Sequence, residues 1–235
     1  MRVIILFSGG KDSTYAAWWA VQQGFEIVSL LSALPLEGSL MFHHPNAALT
    51  KTLAEAMELP WESFEAGKGR ANAGSSSAEL ERVELEALET ALAKFSGKAD
   101  AVVSGALASN YQKTRIDAIC ERLGLKSLAP LWHVDQEKYL REIVSAGFEI
   151  VCAGAFAEGL GPEWLGKRID PGAIDELVRL KEKYSVSVGG EGGEWESIVL
   201  DSPIHKKRVE IVSARKIWER NSGTWVVEEA RLVRK

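Results

Sequence analysis

One short stretch, Ser8-Gly9-Gly10-Lys11-Asp12-Ser13, constrains this 235-residue chain more than any other. It follows the apolar run Val3-Ile4-Ile5-Leu6-Phe7 and opens the segment Thr14 to Gln23. A short apolar run bounded by glycine reads as a buried strand, so the hexapeptide is a loop between a strand and a helix. Two glycines let backbone N–H groups approach a ligand closely, the serine hydroxyls can donate, and the helix dipole favours negative charge. Those properties suit a phosphate. The plainer alternative is a tight turn in which Ser8 or Asp12 only caps the helix. Because Asp12 separates Lys11 from Ser13, the P-loop pattern of Gly-Lys followed directly by Ser or Thr is not met.

Composition narrows the class without naming a function. Hydrophobic residues at 46% and charged residues at 26% are ordinary for a globular protein, and 235 residues suffice for a substantial core. No segment approaches the ~20 apolar residues of a membrane helix. The apolar run after Met1-Arg2 is too short for a signal peptide and is needed as a strand, so a cytoplasmic location is expected. Cys120 and Cys152 are far apart and form no C-x-x-C pair, which leaves them as small core residues. A formal charge of -5 argues against a broad nucleic-acid surface. The local exception, His205-Lys206-Lys207-Arg208, reads as a solvated turn.

Along the chain, apolar runs alternate with helical periods. Tyr15, Trp18, Trp19 and Val21 spread around the first helix, which suggests burial on both sides, and Gly24 ends it. Glu26 to Leu34 is a second, continuously apolar strand, as in parallel sheets covered on both faces. Asn46 is placed to cap a helix bearing Leu49, Leu53 and Met57. Trp61 to Glu65 is a weak strand; Ala66 to Ser77, with Lys68 and Arg70, is a connection long enough for a lid. A helix from Leu80 to Phe95, a strand from Asp100 to Gly105, a helix through Tyr111 and Arg115 and a strand from Leu125 to Trp132 complete the pattern. This alternation predicts an α/β fold with a doubly wound parallel sheet. Beyond residue 132 the order changes: helices at Gln136–Ser145 and Pro171–Tyr184, and strands at Phe148–Phe156, Arg208–Val212 and Thr224–Leu232. The expected organisation is a nucleotide-binding domain at 1–132 and a smaller α+β domain at 133–235.

A second unusual composition is Gly189-Gly190-Glu191-Gly192-Gly193-Glu194-Trp195-Glu196-Ser197. In an extended segment Glu194 and Glu196 share one face, and Trp195 and Ser197 the other. Paired carboxylates can hold a metal, accept a proton or bind a cation; an exposed turn with solvated glutamates fits the composition equally well.

The hexapeptide at 8–13 resembles the Ser-Gly-Gly-x-Asp-Ser signature of ATP pyrophosphatases, which split ATP between the α and β phosphates. Further stretches narrow the resemblance. They are Met-Phe-His-His-Pro-Asn at 41–46, Gly-Ala-Leu-Ala-Ser-Asn-Tyr-Gln-Lys-Thr-Arg at 105–115 and Leu-Ala-Pro-Leu-Trp at 128–132. Trp-Leu-Gly-Lys at 164–167 and Gly-Glu-Gly-Gly-Glu-Trp-Glu at 190–196 complete the set. Together they resemble the diphthine-ammonia ligase family over nearly the whole chain. The stretch from Lys68 to Ser77 departs from it, being longer and less acidic than in similar proteins.

What the resemblance implies is an enzyme that adenylates the carboxylate of diphthine, a modified histidine of elongation factor 2, and amidates it with ammonium. ATP and Mg²⁺ are the implied cofactors, and ATP, ammonium and the elongation factor the implied partners; a homodimer is left open. Ser8, Gly9, Gly10 and Ser13 are then assigned to the pyrophosphate portion of ATP and Lys11 to neutralising it. Asp12 goes to Mg²⁺ or to the helix cap, Leu31 and Ser32 to adenine, and Gly105 to close approach of a ligand. Tyr111, Arg115, Glu191, Glu194 and Glu196 fall to the diphthine and ammonium side. One of Trp132, Trp164 and Trp195 is a candidate face for the quaternary ammonium of diphthine. Releasing ammonia from glutamine needs a nucleophilic cysteine with a histidine base and a domain of its own, for which nothing here supplies the extra length, so free ammonium is the expected donor. The rival readings are a related enzyme acting on tRNA by thiolation or lysidine formation, and a nucleotide-binding module without turnover.

Overall fold

The structure, a computed structural model, describes residues 1–35, 46–66 and 77–235. The Met41–Pro45 part of one motif and the connection from Lys68 to residue 76 lie outside the described residues. In the first half the elements are β1 (Arg2–Leu6), α1 (Lys11–Gln22), β2 (Glu26–Pro35), α2 (Thr50–Met57), β3 (Trp61–Ala66), α3 (Ser77–Ala93), β4 (Ala101–Val103), α4 (Asn110–Leu123) and β5 (Lys126–Leu128). The second half holds α5 (Gln136–Ser145), β6 (Glu149–Ala155), α6 (Pro171–Tyr184), β7 (Trp195–Asp201), β8 (Lys207–Glu219) and β9 (Ser222–Arg234).

The first five strands form one sheet in the order β3-β2-β1-β4-β5, and every pairing is parallel. This is the doubly wound α/β sheet that the alternation predicts. Strand β1 shows why it needs cover on both faces. Val3 and Ile5 point to the side of α1 and α2, where they pack on Ala16, Ala17, Ala20, Leu53 and Met57. Ile4, between them, points to the side of α3 and α4 and packs with Leu92, Phe95 and Ile119. All three are fully buried, and truncating Ile4 or Ile5 to Ala is expected to cost about 2–5 kcal/mol.

The last four strands form an antiparallel sheet, β7-β6-β9-β8. One face of it supplies Val151, Ala153, Ile198, Leu200 and Val209 to the same core that holds α1 and α2. The other face packs under α5 and α6 through Ile150, Cys152 and Val199 against Leu140, Ile143, Ile174 and Leu177. Helix α1 therefore lies between two sheets, which accounts for its apolar residues on all sides.

Four local expectations are corrected. Asn46 does not cap α2 with its side chain; its amide donates to the Trp225 carbonyl and accepts from the Val227 N–H, pinning β9. The strand expected from Leu125 to Trp132 is confined to Lys126–Leu128 at the sheet edge, and Pro130 lies past its end. Strands β8 and β9 are much longer than their apolar segments, because a two-stranded ribbon continues through polar residues paired from Lys207↔Arg234 to Glu219↔Ser222. His205 is buried, its Nδ1 2.6 Å from Ser202 Oγ, whereas Lys206, Lys207 and Arg208 are exposed.

Candidate active site

A cavity of about 430 Å³ opens where β1 and β4 end side by side, the point at which the strand order reverses. Ser8, Gly10, Lys11, Asp12 and Ser13 form one wall; Glu191, Trp195, Glu196 and Ser197 face them. Leu31, Ala33, Phe64, Leu85, Leu88 and Ile116 give an apolar side suited to a flat ring, and Gln112 and Arg115 complete the rim. The two unusual sequence stretches thus share one enclosure.

The phosphate-type loop is held by its own hydroxyls and by β7. Ser8 and Ser13 hydroxyls are 3.2 Å apart, the Ser8 N–H donates to Ser13 Oγ, and Ser13 Oγ donates to the Gly10 carbonyl. From β7, the Val199 N–H donates to the Gly9 carbonyl at 3.0 Å. Ser197 Oγ accepts from the Lys11 N–H at 3.1 Å. Gly9 has φ +78, and a β-carbon there would lie 2.5 Å from Leu53 Cδ1, so this glycine serves the turn and does not line the cavity. Helix α1 begins at Lys11 with Gly10 as N-cap and no side-chain cap, so neither Ser8 nor Asp12 has the capping role.

Lys11 is 4% exposed. Its Nζ donates to Asp12 Oδ2 at 2.8 Å and lies 4.8 Å from the centre of the Trp195 ring. The other Asp12 oxygen, Oδ1, accepts from the Tyr139 hydroxyl at 3.0 Å. Burial first, and the neighbouring Asp12 second, push the Tyr139 phenol well above its ordinary pKa, which keeps it a donor. Each Asp12 oxygen accepts one of these donors and retains a further lone pair. Among the described residues no group of three or more His, Cys, Asp or Glu side chains is placed to hold a metal.

The glutamates divide three ways. Glu191 Oε1 accepts from the N–H groups of Ala108 and Ser109, both at 2.8 Å, fastening the glycine loop to the start of α4. Glu194 is turned into its own loop, accepting from the Ser187 and Gly192 N–H groups, and does not line the cavity. Glu196 does line it. The expected pairing of Glu194 with Glu196 fails because β7 begins at Trp195, after Glu194. Trp195 and Ser197 do share a side, as alternation requires, and both touch Lys11.

Other expected residues move or change role. The Ser32 hydroxyl accepts from Trp61 Nε1 at 2.9 Å, while Leu31 and Ala33 line the cavity, as period two along a strand dictates; backbone contacts to adenine, the role given to Leu31 and Ser32, do not depend on that side chain. Gly105 lines the cavity, yet a β-carbon there would lie 2.6 Å from the Asp12 carbonyl carbon. It also approaches the α1 backbone closely. Tyr111 is exposed and outside the lining, with the Arg115 guanidinium 3.4 Å from its ring centre. Arg115 reaches the rim while paired with Glu81, and the Tyr111 hydroxyl together with Arg115 holds Glu81 below the usual carboxylate range. Each candidate face for a quaternary ammonium already has a lysine beside it: Lys11 at Trp195, Lys113 at Trp132 and Lys167 at Trp164. Trp164 and Trp195 are also buried. Sequence reasoning missed Tyr139, which reads as one more apolar position of an amphipathic helix, and gave Ser197 no task; its place two residues from Trp195 was the available signal.

Both cysteines are buried, as expected. Burial raises the Cys120 thiol to about 11 and the Cys152 thiol to about 12, which keeps both as thiols at neutral pH. No helix among the described residues is long and apolar enough to cross a membrane.

Comparisons with known proteins bear on the family. A family model described as the diphthamide synthase N-terminal domain matches residues 1–127, and one described as the diphthamide synthase C-terminal domain matches residues 135–233. The diphthine–ammonia ligase of Schizosaccharomyces pombe is 35% identical over 231 residues, covering 95% of this chain and 38% of that protein. That of Bos taurus is 34% identical over 228 residues, covering 92% of this chain and 85% of that protein. A solved structure described as a predicted subunit of tRNA methyltransferase from Methanocaldococcus jannaschii superposes with a TM-score of 0.46 at 17% identity, over 86% of this chain and 98% of that one. Matched along nearly its whole length by both models, and by a relative most of which it covers, the chain belongs to the diphthamide synthase family, that of the diphthine–ammonia ligases.

Proposed function

We propose that the chain is an ATP-dependent ligase that converts the carboxylate of diphthine on elongation factor 2 to its amide, with ammonium as nitrogen donor and AMP and pyrophosphate as by-products. The observation that carries this reading is the single cavity in which the Ser8–Ser13 loop faces Glu191, Glu196 and Trp195.

A carboxylate is a poor electrophile because it would have to expel oxide. If one of its oxygens attacks the α-phosphorus of ATP, pyrophosphate leaves and the acyl group becomes an adenylate. Ser8, Gly10, Lys11 and Ser13 stand where they would hold the departing pyrophosphate, with the Lys11 ammonium stabilising its growing charge. The apolar side formed by Leu31, Ala33 and Phe64 would take the adenine. Arg115, by sharing Glu81, would orient the reacting carboxylate at the rim. Ammonia nitrogen then attacks the acyl carbon, AMP leaves, and the nitrogen sheds its extra protons. Glu196, which lines the cavity, is assigned as the proton acceptor. ATP is expected to arrive with Mg²⁺ on its phosphate oxygens, where it neutralises charge; no protein ligand is assigned to it.

Incubation with ATP, ammonium and diphthine-bearing elongation factor 2 tests the reading. The expected result is the small mass decrease of replacing a carboxylic hydroxyl by an amino group, with AMP and pyrophosphate formed in step. ADP as product, or unchanged ATP, overturns it.

A further inference from the structure

Side-chain hydrogen bonds reach the first turn of α1 from residues of the second half of the chain. Ser197 Oγ takes the Lys11 N–H, the Trp195 ring lies beside the Lys11 ammonium, and Val199 holds the Gly9 carbonyl. A further contact is the Tyr139 hydroxyl on Asp12. Tyr139 is 1% exposed, sits on α5 and packs edge-on against Tyr15 of α1, with ring centres 5.3 Å apart. It does not itself line the cavity and has no role in the chemistry above.

We infer that Tyr139 is a positioning residue for the phosphate loop: by donating to Asp12 it takes up part of that carboxylate's charge, and so leaves the Lys11 ammonium available to the β and γ phosphates of a nucleotide. The geometry is a continuous chain of hydrogen bonds, Tyr139 Oη to Asp12 Oδ1 at 3.0 Å and Lys11 Nζ to Asp12 Oδ2 at 2.8 Å. A carboxylate with two donors divides its charge between them. Remove the neutral donor and the whole charge falls on Lys11, which is then held inside an ion pair when phosphate arrives. Strengthen that donor and Lys11 is released more readily. The phenol remains protonated because it is buried beside an anion, so the donor direction is fixed. The inference rests on the nucleotide reading of this cavity, and goes beyond it in placing a fully buried residue of the second half in control of the loop's cation.

The test is equilibrium binding of ATP and of AMP, which lacks the β and γ phosphates. For Tyr139→Phe, ATP affinity is expected to fall about tenfold, the worth of one hydrogen bond to a charged group, while AMP affinity stays within about twofold. In a Lys11→Met background the same substitution should change ATP affinity by less than about twofold, because its effect passes through Lys11. Replacing Tyr139 by 3-fluorotyrosine, nearly isosteric and a stronger donor, should raise the ATP-to-AMP affinity ratio. It also keeps the test open if the phenylalanine variant does not fold. Equal weakening of ATP and AMP, additive effects with Lys11→Met, or no change with either variant overturns the inference. A wild-type protein that binds no ATP overturns the nucleotide reading itself, which separates the two failures.

Discussion

A buried imidazole makes this fold sensitive to acid. His205 is 4% exposed, with Ser202 Oγ at Nδ1 and, among the described residues, no partner for Nε2. Burial lowers its pKa from 6.5 to about 4. The unfolded chain therefore takes up this proton as pH drops below 6.5, while the folded chain resists until about 4. The stability involved is fully present above 6.5 and is lost on the way down to about 4, and it amounts to on the order of 3 kcal/mol. Urea unfolding of the wild type and of His205→Gln at pH 7, 5.5 and 4 is expected to give curves that converge in acid, the wild type losing about that much more. Parallel pH profiles would show that His205 is not the group responsible. The same desolvation argument bears on chemistry: thiols raised to about 11 and 12 offer no thiolate for sulfur transfer or for attack on an amide.

At the scale of elements, the link that assembles the site is Glu191 across the start of α4. One carboxylate oxygen satisfies two backbone N–H groups, and Ser109 caps the same helix through the Gln112 N–H. Glu191→Ala leaves both donors unpaired and unfastens the glycine loop, so a stability loss of about 1–3 kcal/mol is expected. Glu191→Gln keeps an acceptor oxygen and should recover most of the stability and of the amide-forming rate. A stable glutamine variant as inactive as the alanine one would instead give Glu191 a proton-transfer task. Elements of this kind were unequally legible. Helices α5 and α6 run over the residues expected because Asp135 and Asp170 cap them and their apolar periods are clean. Strand β7 was not read as a strand, because its first residues continue a glycine–glutamate run. Asn46 offered the sequence of a helix cap while its amide was used across the molecule on β9. Long-range partners of this sort, like Tyr139 on Asp12, leave no trace in local spacing.

For the molecule as a whole, the packing of α1 between the parallel and antiparallel sheets decides what the site can do. The phosphate loop was legible because its glycines and hydroxyls are contiguous; its dependence on β7 and α5 was not, since those contacts span well over a hundred residues of sequence. The same packing bears on where the nitrogen comes from. A glutamine-dependent amidation needs a thiolate or comparable nucleophile, a base beside it and a path to the acyl adenylate. Here both cysteines sit inside hydrophobic cores, Cys120 with Ile119 under the parallel sheet and Cys152 with Ile150 under α5 and α6. Neither lines the cavity, whereas Glu196 does. Amide formation is therefore expected to rise with ammonium, to be unaffected by glutamine at equal concentration, and to survive alkylation of accessible thiols. Glu196→Gln should weaken the ammonium dependence by roughly tenfold or more in kcat/KM while leaving ATP binding unchanged, as for a lost general base. Glutamine-supported turnover in the absence of ammonium, or its abolition by a thiol reagent, would assign the nitrogen to a different route from the one this cavity provides.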